Sequence, residues 1–214
     1  MVAGRYLIRP PKVYRWFFRE ALFRVKTELP VVYLTFDDGP SPEATPFVLD
    51  VLKAHGVMAT FFVLGKNVMD NPSIVQRLKD EGHLLANHGV EHLDGWRTHT
   101  ESYLKNVSGG RAISGSRLFR PPYGRLRLKQ YGQIRQEDRV VFWDVISGDF
   151  DQTISAEQVI RNVVDNSRKG SIIVMHDSVK AMKNLQGSLN GIIMELKAKG
   201  FDFGVLSATD QLEY

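Results

Sequence analysis

The sequence contains no cysteine, which rules out both a disulfide framework and thiolate metal ligands. It also lacks the ~18–20 continuous apolar residues that a membrane-spanning helix needs. Pro/Gly/Ser-rich linkers, internal repeats and low-complexity tracts are missing too, so residues 31–214 read as one domain. A general excess of basic charge is absent as well. Residues 1–30 hold seven bases (Arg5, Arg9, Lys12, Arg15, Arg19, Arg24, Lys26) against two acids (Glu20, Glu28). That stretch is +5 in a chain of net +4, leaving about −1 for the rest. No cluster of arginines and aromatics marks the body, so nucleic acid is not an expected partner.

What the chain does carry begins with a basic amphipathic arm over residues 1–30. Its central stretch, PPKVYRWFFREALFRV (10–25), places Val13, Trp16, Phe17, Ala21 and Leu22 at helical spacing. Arg15, Arg19, Glu20 and Arg24 break up the apolar run that a cleavable secretory signal requires. That favours a cytoplasmic or membrane-associated location over secretion. Either the apolar side lies on an anionic membrane, as a peripheral contact through residues 10–25, or it packs onto the domain with the bases in water. Packing is the default reading.

After residue 30 strands and helices alternate. VVYLTF (31–36), ATFFVLG (59–65), LLANH (84–88), LFRPP (118–122), RVVFWDV (139–145), SIIVMH (171–176) and FDFGVL (201–206) read as strands. Helices are expected between them: from Ser41 to Gly56, over 71–82, from a Thr98/Glu101 capping box to about 107, over 126–136, from a Ser155/Gln158 capping box to Gly170, and over 185–199. About seven such units imply a parallel sheet with helices outside it, either open and doubly wound or closed into a barrel.

The ionisable residues gather where these strands stop. Asp37 and Asp38 follow the first, His88 closes the third with His92 four residues on, and Arg120 lies in the fourth. Asp144 and Asp149 come at and after the fifth, and His176 ends the sixth. In parallel α/β folds the carboxyl ends of the strands share one face, so these residues would converge. Two imidazoles and a carboxylate form a facial donor set for a divalent metal. A metal explains the adjacent aspartates: one is a ligand whose charge the ion offsets, and the other remains free to take a proton from water. Arg120 is placed to orient that base, or else forms an ordinary strand-end ion pair.

TFDDGP, NHGVEH, RPPYG, WDVISGDF and IVMHD, in this order, resemble the five motifs of the NodB-like polysaccharide deacetylases, a carbohydrate esterase family. The resemblance runs from about Val31 to the carboxyl terminus. It implies a distorted (β/α) barrel of about seven parallel strands. It implies a divalent metal, most readily Zn2+ with Co2+, Ni2+ or Mn2+ as alternatives, held by Asp38, His88 and His92. Asp37 would be the base, steadied by Arg120; the Tyr123 backbone N–H would serve the oxyanion; His176, oriented by Asp149, would be the acid. Pro122, Tyr123, Phe150 and Val174 would line the substrate groove, and Trp96 would stack on a sugar ring or wedge the loop after His92. Three positions depart from the family pattern. Gly89 replaces a Ser or Thr whose hydroxyl would brace the histidine loop, Phe150 stands where Trp is usual, and Val174 where Leu is usual.

The implied activity is removal of acetyl groups from N-acetylated sugars: peptidoglycan, chitin-like glycans or their precursors. The alternatives are an O-acetyl esterase or small-amide hydrolase with the same site, and a sugar-binding relic without turnover.

Overall fold

The computed structural model describes residues 7–212; Arg5 of the basic arm lies outside the described residues. The elements run α1 (Lys12–Phe17), β1 (Val31–Asp37), α2 (Thr45–His55), β2 (Thr60–Val63), α3 (Gly65–Asp70), α4 (Pro72–Asp80), β3 (Leu84–Asn87), α5 (Thr100–Ser114), β4 (Leu118–Phe119), α6 (Leu128–Ile134), β5 (Arg139–Val140), β6 (Val145–Ile146), α7 (Ala156–Val164), β7 (Ile172–His176), α8 (Met182–Ala198) and β8 (Asp202–Phe203). The strands pair in the order β5-β4-β3-β2-β1-β7-β6, every pair parallel, and β8 adds to the start of β1. This is the curled sheet of a (β/α) barrel with helices around it.

Period-two alternation along β1 sets the layers. Val32, Leu34 and Phe36 join the main core, together with Val48, Leu49 and Leu52 of α2, Val159 and Val163 of α7, and Leu185, Leu189, Ile192 and Leu196 of α8. Thr35 and Asp37 take the opposite face, where the chemistry collects. Register then fixes what meets there: Asp37 pairs with His176 and Thr35 with Val174.

Several elements differ from the sequence reading. RVVFWDV is not one strand. Its ends, β5 and β6, lie at opposite ends of the strand order, so the chain must leave the ladder between them. Phe142 N–H donates to the arm at Leu22 O (2.8 Å), and Asp144 binds Arg15, Arg168 and the Ser171 hydroxyl. Because Ser171 precedes β7 whereas His176 ends it, Asp144 stands at the end of the sheet away from the expected cluster. The Thr98/Glu101 capping box does not form. Thr98 donates to Asp94 O instead, and α5 starts at Thr100 and continues to Ser114. Only the Ser155 half of the other box forms: Ser155 Oγ accepts from Gln158 N–H at 3.3 Å, while the Gln158 side chain bonds Asn162 and Arg161, and α7 ends at Val164 rather than Gly170.

The arm is helical only over α1. Beyond it, Ala21 and Leu22 are buried in an extended segment rather than on a helix. Leu22 bridges Val141 and Arg24 bridges Ser171, tying the β5 side of the curled sheet to β7. Phe23 stacks on Phe142 at 4.8 Å, and Phe18 meets Tyr131 edge-on at 5.0 Å. Among the described residues no helix is long and apolar enough to cross a membrane.

Candidate active site

β1 delivers the two aspartates in opposite senses. Asp37 is the last strand residue and is buried. Asp38 has left the strand with φ = 79°, a left-handed conformation that aspartate tolerates better than most residues. Its carbonyl accepts the Asn67 side-chain amide at 2.7 Å. Gly39 must follow, because a Cβ there would fall 2.0 Å from Asp177 Oδ2. Asp177 holds this turn through Gly39 N–H (3.1 Å) and the Thr45 hydroxyl (2.6 Å). Burial pushes its carboxyl up to about 8, against those two hydrogen bonds.

Asp38, His88 and His92 each offer a ligand atom within 4.8 Å of the others. Asp38 Oδ1 lies 3.2 Å from His92 Nε2 and 3.6 Å from His88 Nε2. His88 is buried, which drives its pKa down to about 4, so the ring is neutral at neutral pH. Its Nδ1 lies 2.8 Å from the Arg120 carbonyl and therefore carries the proton, leaving the Nε2 lone pair aimed at Asp38. That is the tautomer a metal-binding histidine needs. Asp38 Oδ1 is buried yet has no hydrogen-bond partner among the described residues, an orphaned anion that a cation would satisfy. The donor set fits a divalent metal.

Asp37 stands beside this cluster with a different partner. The buried Arg120 guanidinium donates to Asp37 Oδ1 (2.6 Å), the Thr35 hydroxyl (2.7 Å) and Phe142 O (3.1 Å), and lies over the Phe62 ring at 4.0 Å. This is a fully enclosed clamp on one carboxylate oxygen, not a surface ion pair. Removing one member of such a pair costs about 3–5 kcal/mol. His176 occupies the neighbouring strand end. Asp149 accepts both its Nδ1 proton (2.8 Å) and its backbone N–H (2.7 Å). Burial alone would depress the imidazole, but the Asp149 carboxylate, with Asp38 and Asp37 behind it, more than offsets burial and raises His176 to about 9. Asp149 is itself fixed from Ser147 Oγ and by Asn184, which donates to its carbonyl.

The rim is aromatic. Tyr123 has φ = 60° and is 61% exposed, with its ring edge-on to His92 at 4.4 Å. Among the described residues no backbone carbonyl accepts the Tyr123 N–H. Pro122 is buried in the same turn. Trp96 is 51% exposed and shares Arg125 with Tyr123: the guanidinium lies 5.1 Å from the Trp96 ring and 5.5 Å from the Tyr123 ring, and is held by Asp94 at 2.6 Å. Phe150 meets His176 edge-on at 5.2 Å, with the Lys180 ammonium above it. Val174 is buried one pleat below His176, on the same face of β7.

Asn67, Asn87, Asn106, Asp177, Arg125 and Asp94 all serve this site without having been singled out in the sequence. Asn87 and Asn106 correct the reading of Gly89. The histidine loop is braced without a hydroxyl there: Asn87 Oδ1 accepts Gly89 N–H (2.7 Å), and Asn106 bonds both Glu91 N–H and Glu91 O (2.8 Å each). Gly89 has φ = 91°, and a Cβ on it would sit 2.4 Å from Asn106 Nδ2. Gly89→Ser, which restores the family's residue, is therefore expected to weaken metal binding about tenfold through backbone strain of ~1–3 kcal/mol. Chelator competition checks this; tighter binding would contradict it.

A parallel barrel whose strand ends carry a two-histidine, one-carboxylate donor set beside a clamped carboxylate and a charged imidazole is built as a metal-dependent hydrolase. Residues 24–137 match the polysaccharide deacetylase family. A peptidoglycan-N-acetylglucosamine deacetylase of Bacillus cereus is 37% identical over 84% of this chain and 68% of its own length. A chitooligosaccharide deacetylase of Azorhizobium caulinodans is 30% identical over 79% of this chain and 90% of its own. The crystal structure of the Bc1960 peptidoglycan N-acetylglucosamine deacetylase superposes with a TM-score of 0.86 at 32% identity, covering 94% of this chain and 97% of that one. The chain belongs to the polysaccharide deacetylase family, whose deacetylases are metal-dependent hydrolases.

Proposed function

We propose that this chain removes the acetyl group from N-acetylglucosamine units of a peptidoglycan-type or chitin-like glycan. The observation that carries the reading is the pair of proton-transfer groups beside one donor cluster. Asp37 is held by Arg120, and His176 by Asp149.

Asp38, His88 and His92 would hold the cation, with zinc favoured by two imidazoles and one carboxylate without thiolate. When bound, it supplies Lewis-acid polarisation and makes water acidic near neutral pH. Asp37 takes the proton from the attacking water, and Arg120 keeps that carboxylate aimed. Attack on the acetamide carbon forms a C–O bond and builds an oxyanion, to which the Tyr123 N–H donates; collapse of that species breaks the C–N bond. His176, its pKa raised with the help of Asp149, gives its proton to the departing nitrogen; Asp149 stabilises the imidazolium before transfer. The free amine and acetate leave. Pro122, Tyr123, Phe150, Val174 and Trp96 shape the groove. Tyr123 and Trp96 are exposed enough for sugar rings to stack on.

Acetate release from chitooligosaccharides, peptidoglycan fragments and O-acetylated xylan oligosaccharides tests the proposal. Release from N-acetylated substrates is expected. Release from the O-acetyl esters alone would make the chain an esterase, and glycan binding without any release would make it a relic.

A further inference from the structure

The site engages only the strand-end face and leaves α1 unexplained. This helix has two unlike sides. Tyr14 turns inward onto Phe142 (5.8 Å, edge-on) and Phe18 (5.5 Å), and Arg15 reaches the buried Asp144 at 3.2 Å. Val13, Trp16 and Phe17, at i, i+3 and i+4, share the other side. They are 53%, 61% and 46% exposed. Trp16 and Phe17 meet edge-on at 4.9 Å. Beside Trp16 alone of the three lies a cavity of about 480 Å³, lined also by Arg15, Phe18, Arg19, Phe23 and Leu212. Packing alone does not explain this arrangement, because the arm's largest side chain is left in water.

The charge around the stripe has one sign. Residues 7–30 hold six bases and two acids, and one of those acids, Glu20, is taken up by Arg135. Lys12 and Arg19 flank the stripe and form no ion pair among the described residues. A second copy of this face would bring bases against bases, so self-association through it is disfavoured. An anionic bilayer complements both the charge and the apolar stripe.

We propose that this face of α1 docks on anionic lipid, with Val13, Trp16 and Phe17 entering the boundary between headgroups and acyl chains and Lys12 and Arg19 meeting the lipid phosphates. The Arg15–Asp144 link fixes the helix to the barrel, so the docked surface is already formed.

Sedimentation of the full chain with phosphatidylcholine vesicles, and with vesicles containing about 30% phosphatidylglycerol, tests this. Salt-sensitive binding to the anionic vesicles alone is expected. Trp16→Glu with Phe17→Glu should weaken it about tenfold or more, with the thermal midpoint and acetate release from soluble chitooligosaccharides unchanged. Lys12→Glu with Arg19→Glu should weaken it too and keeps the test open if the first variant misfolds. Absent binding, binding that survives both variants, or a dimer that the variants dissolve would each overturn the proposal. The readout is lipid binding, so it stands apart from the deacetylase reading.

Discussion

Asp37→Asn is expected to lower kcat/KM by about 10²–10⁴-fold while metal content stays at the wild-type level. The reasoning is geometric. Asp37 contributes to the Arg120 clamp and not to the Asp38, His88 and His92 donor set. Asparagine keeps an acceptor for the Arg120 guanidinium but cannot take a proton from water. The variant also loses the counter-charge of a buried arginine, so some stability is lost, below the roughly 3–5 kcal/mol of a fully broken buried pair. His88→Ala removes a ligand and should abolish metal binding and activity together. Metal content by elemental mass spectrometry and acetate release, measured on the same preparations, separate the two. Equal metal loss in both variants would show that the adjacent aspartates do not divide the work as argued.

Asp149→Asn is expected to move the alkaline limb of kcat downward. As the proposed acid His176 would act protonated, so activity is expected below its pKa and lost as pH rises through it. Burial lowers this imidazole, and the Asp149 carboxylate leads the charges that lift it to about 9. Asp38 and Asp37 also contribute, and a bound cation would offset part of their charge, so the wild-type limb is expected between the ordinary imidazole value and about 9. In the asparagine variant burial is opposed by less charge, and the limb should fall to about 6.5 or below. At pH 8 that leaves roughly one molecule in thirty protonated, an activity loss of up to about 30-fold when the wild-type limb lies near the top of its range, and acidification recovers it. A pH profile of kcat for both proteins checks this. An unmoved limb would show that His176 is not the acid.

The convergence of Asp37, Asp38, His88 and His176 at one face was legible because these residues interrupt apolar runs. A charged or imidazole side chain at the end of VVYLTF, LLANH or SIIVMH has no other reason to be there, and parallel topology brings those ends together. The parts that hold these residues were not legible. Asn106 reaches the histidine loop from the middle of α5, and Asn67 reaches Asp38 from α3, a short helix with no sequence signal strong enough to register. Both are ordinary surface residue types until the fold places them. Asp177 follows a motif histidine, yet its bonds to Gly39 and Thr45 depend on long-range contacts. RVVFWDV has the composition of a single strand, and only the order of strands in the sheet splits it. In the arm, the helical spacing of Ala21 and Leu22 was coincidental, since edge pairing with Val141 and burial among aromatics outweighed local propensity.

X-ray absorption at the metal edge of the zinc-loaded protein bears most directly on the central claim, that one cation is held by Asp38 and two imidazoles. The account predicts light-atom ligands at about 2.0–2.2 Å with multiple scattering from two histidine rings, and loss of one ring's contribution in His92→Ala. A bound ion whose spectrum shows no imidazole scattering, or one unaltered by His92→Ala, would contradict it.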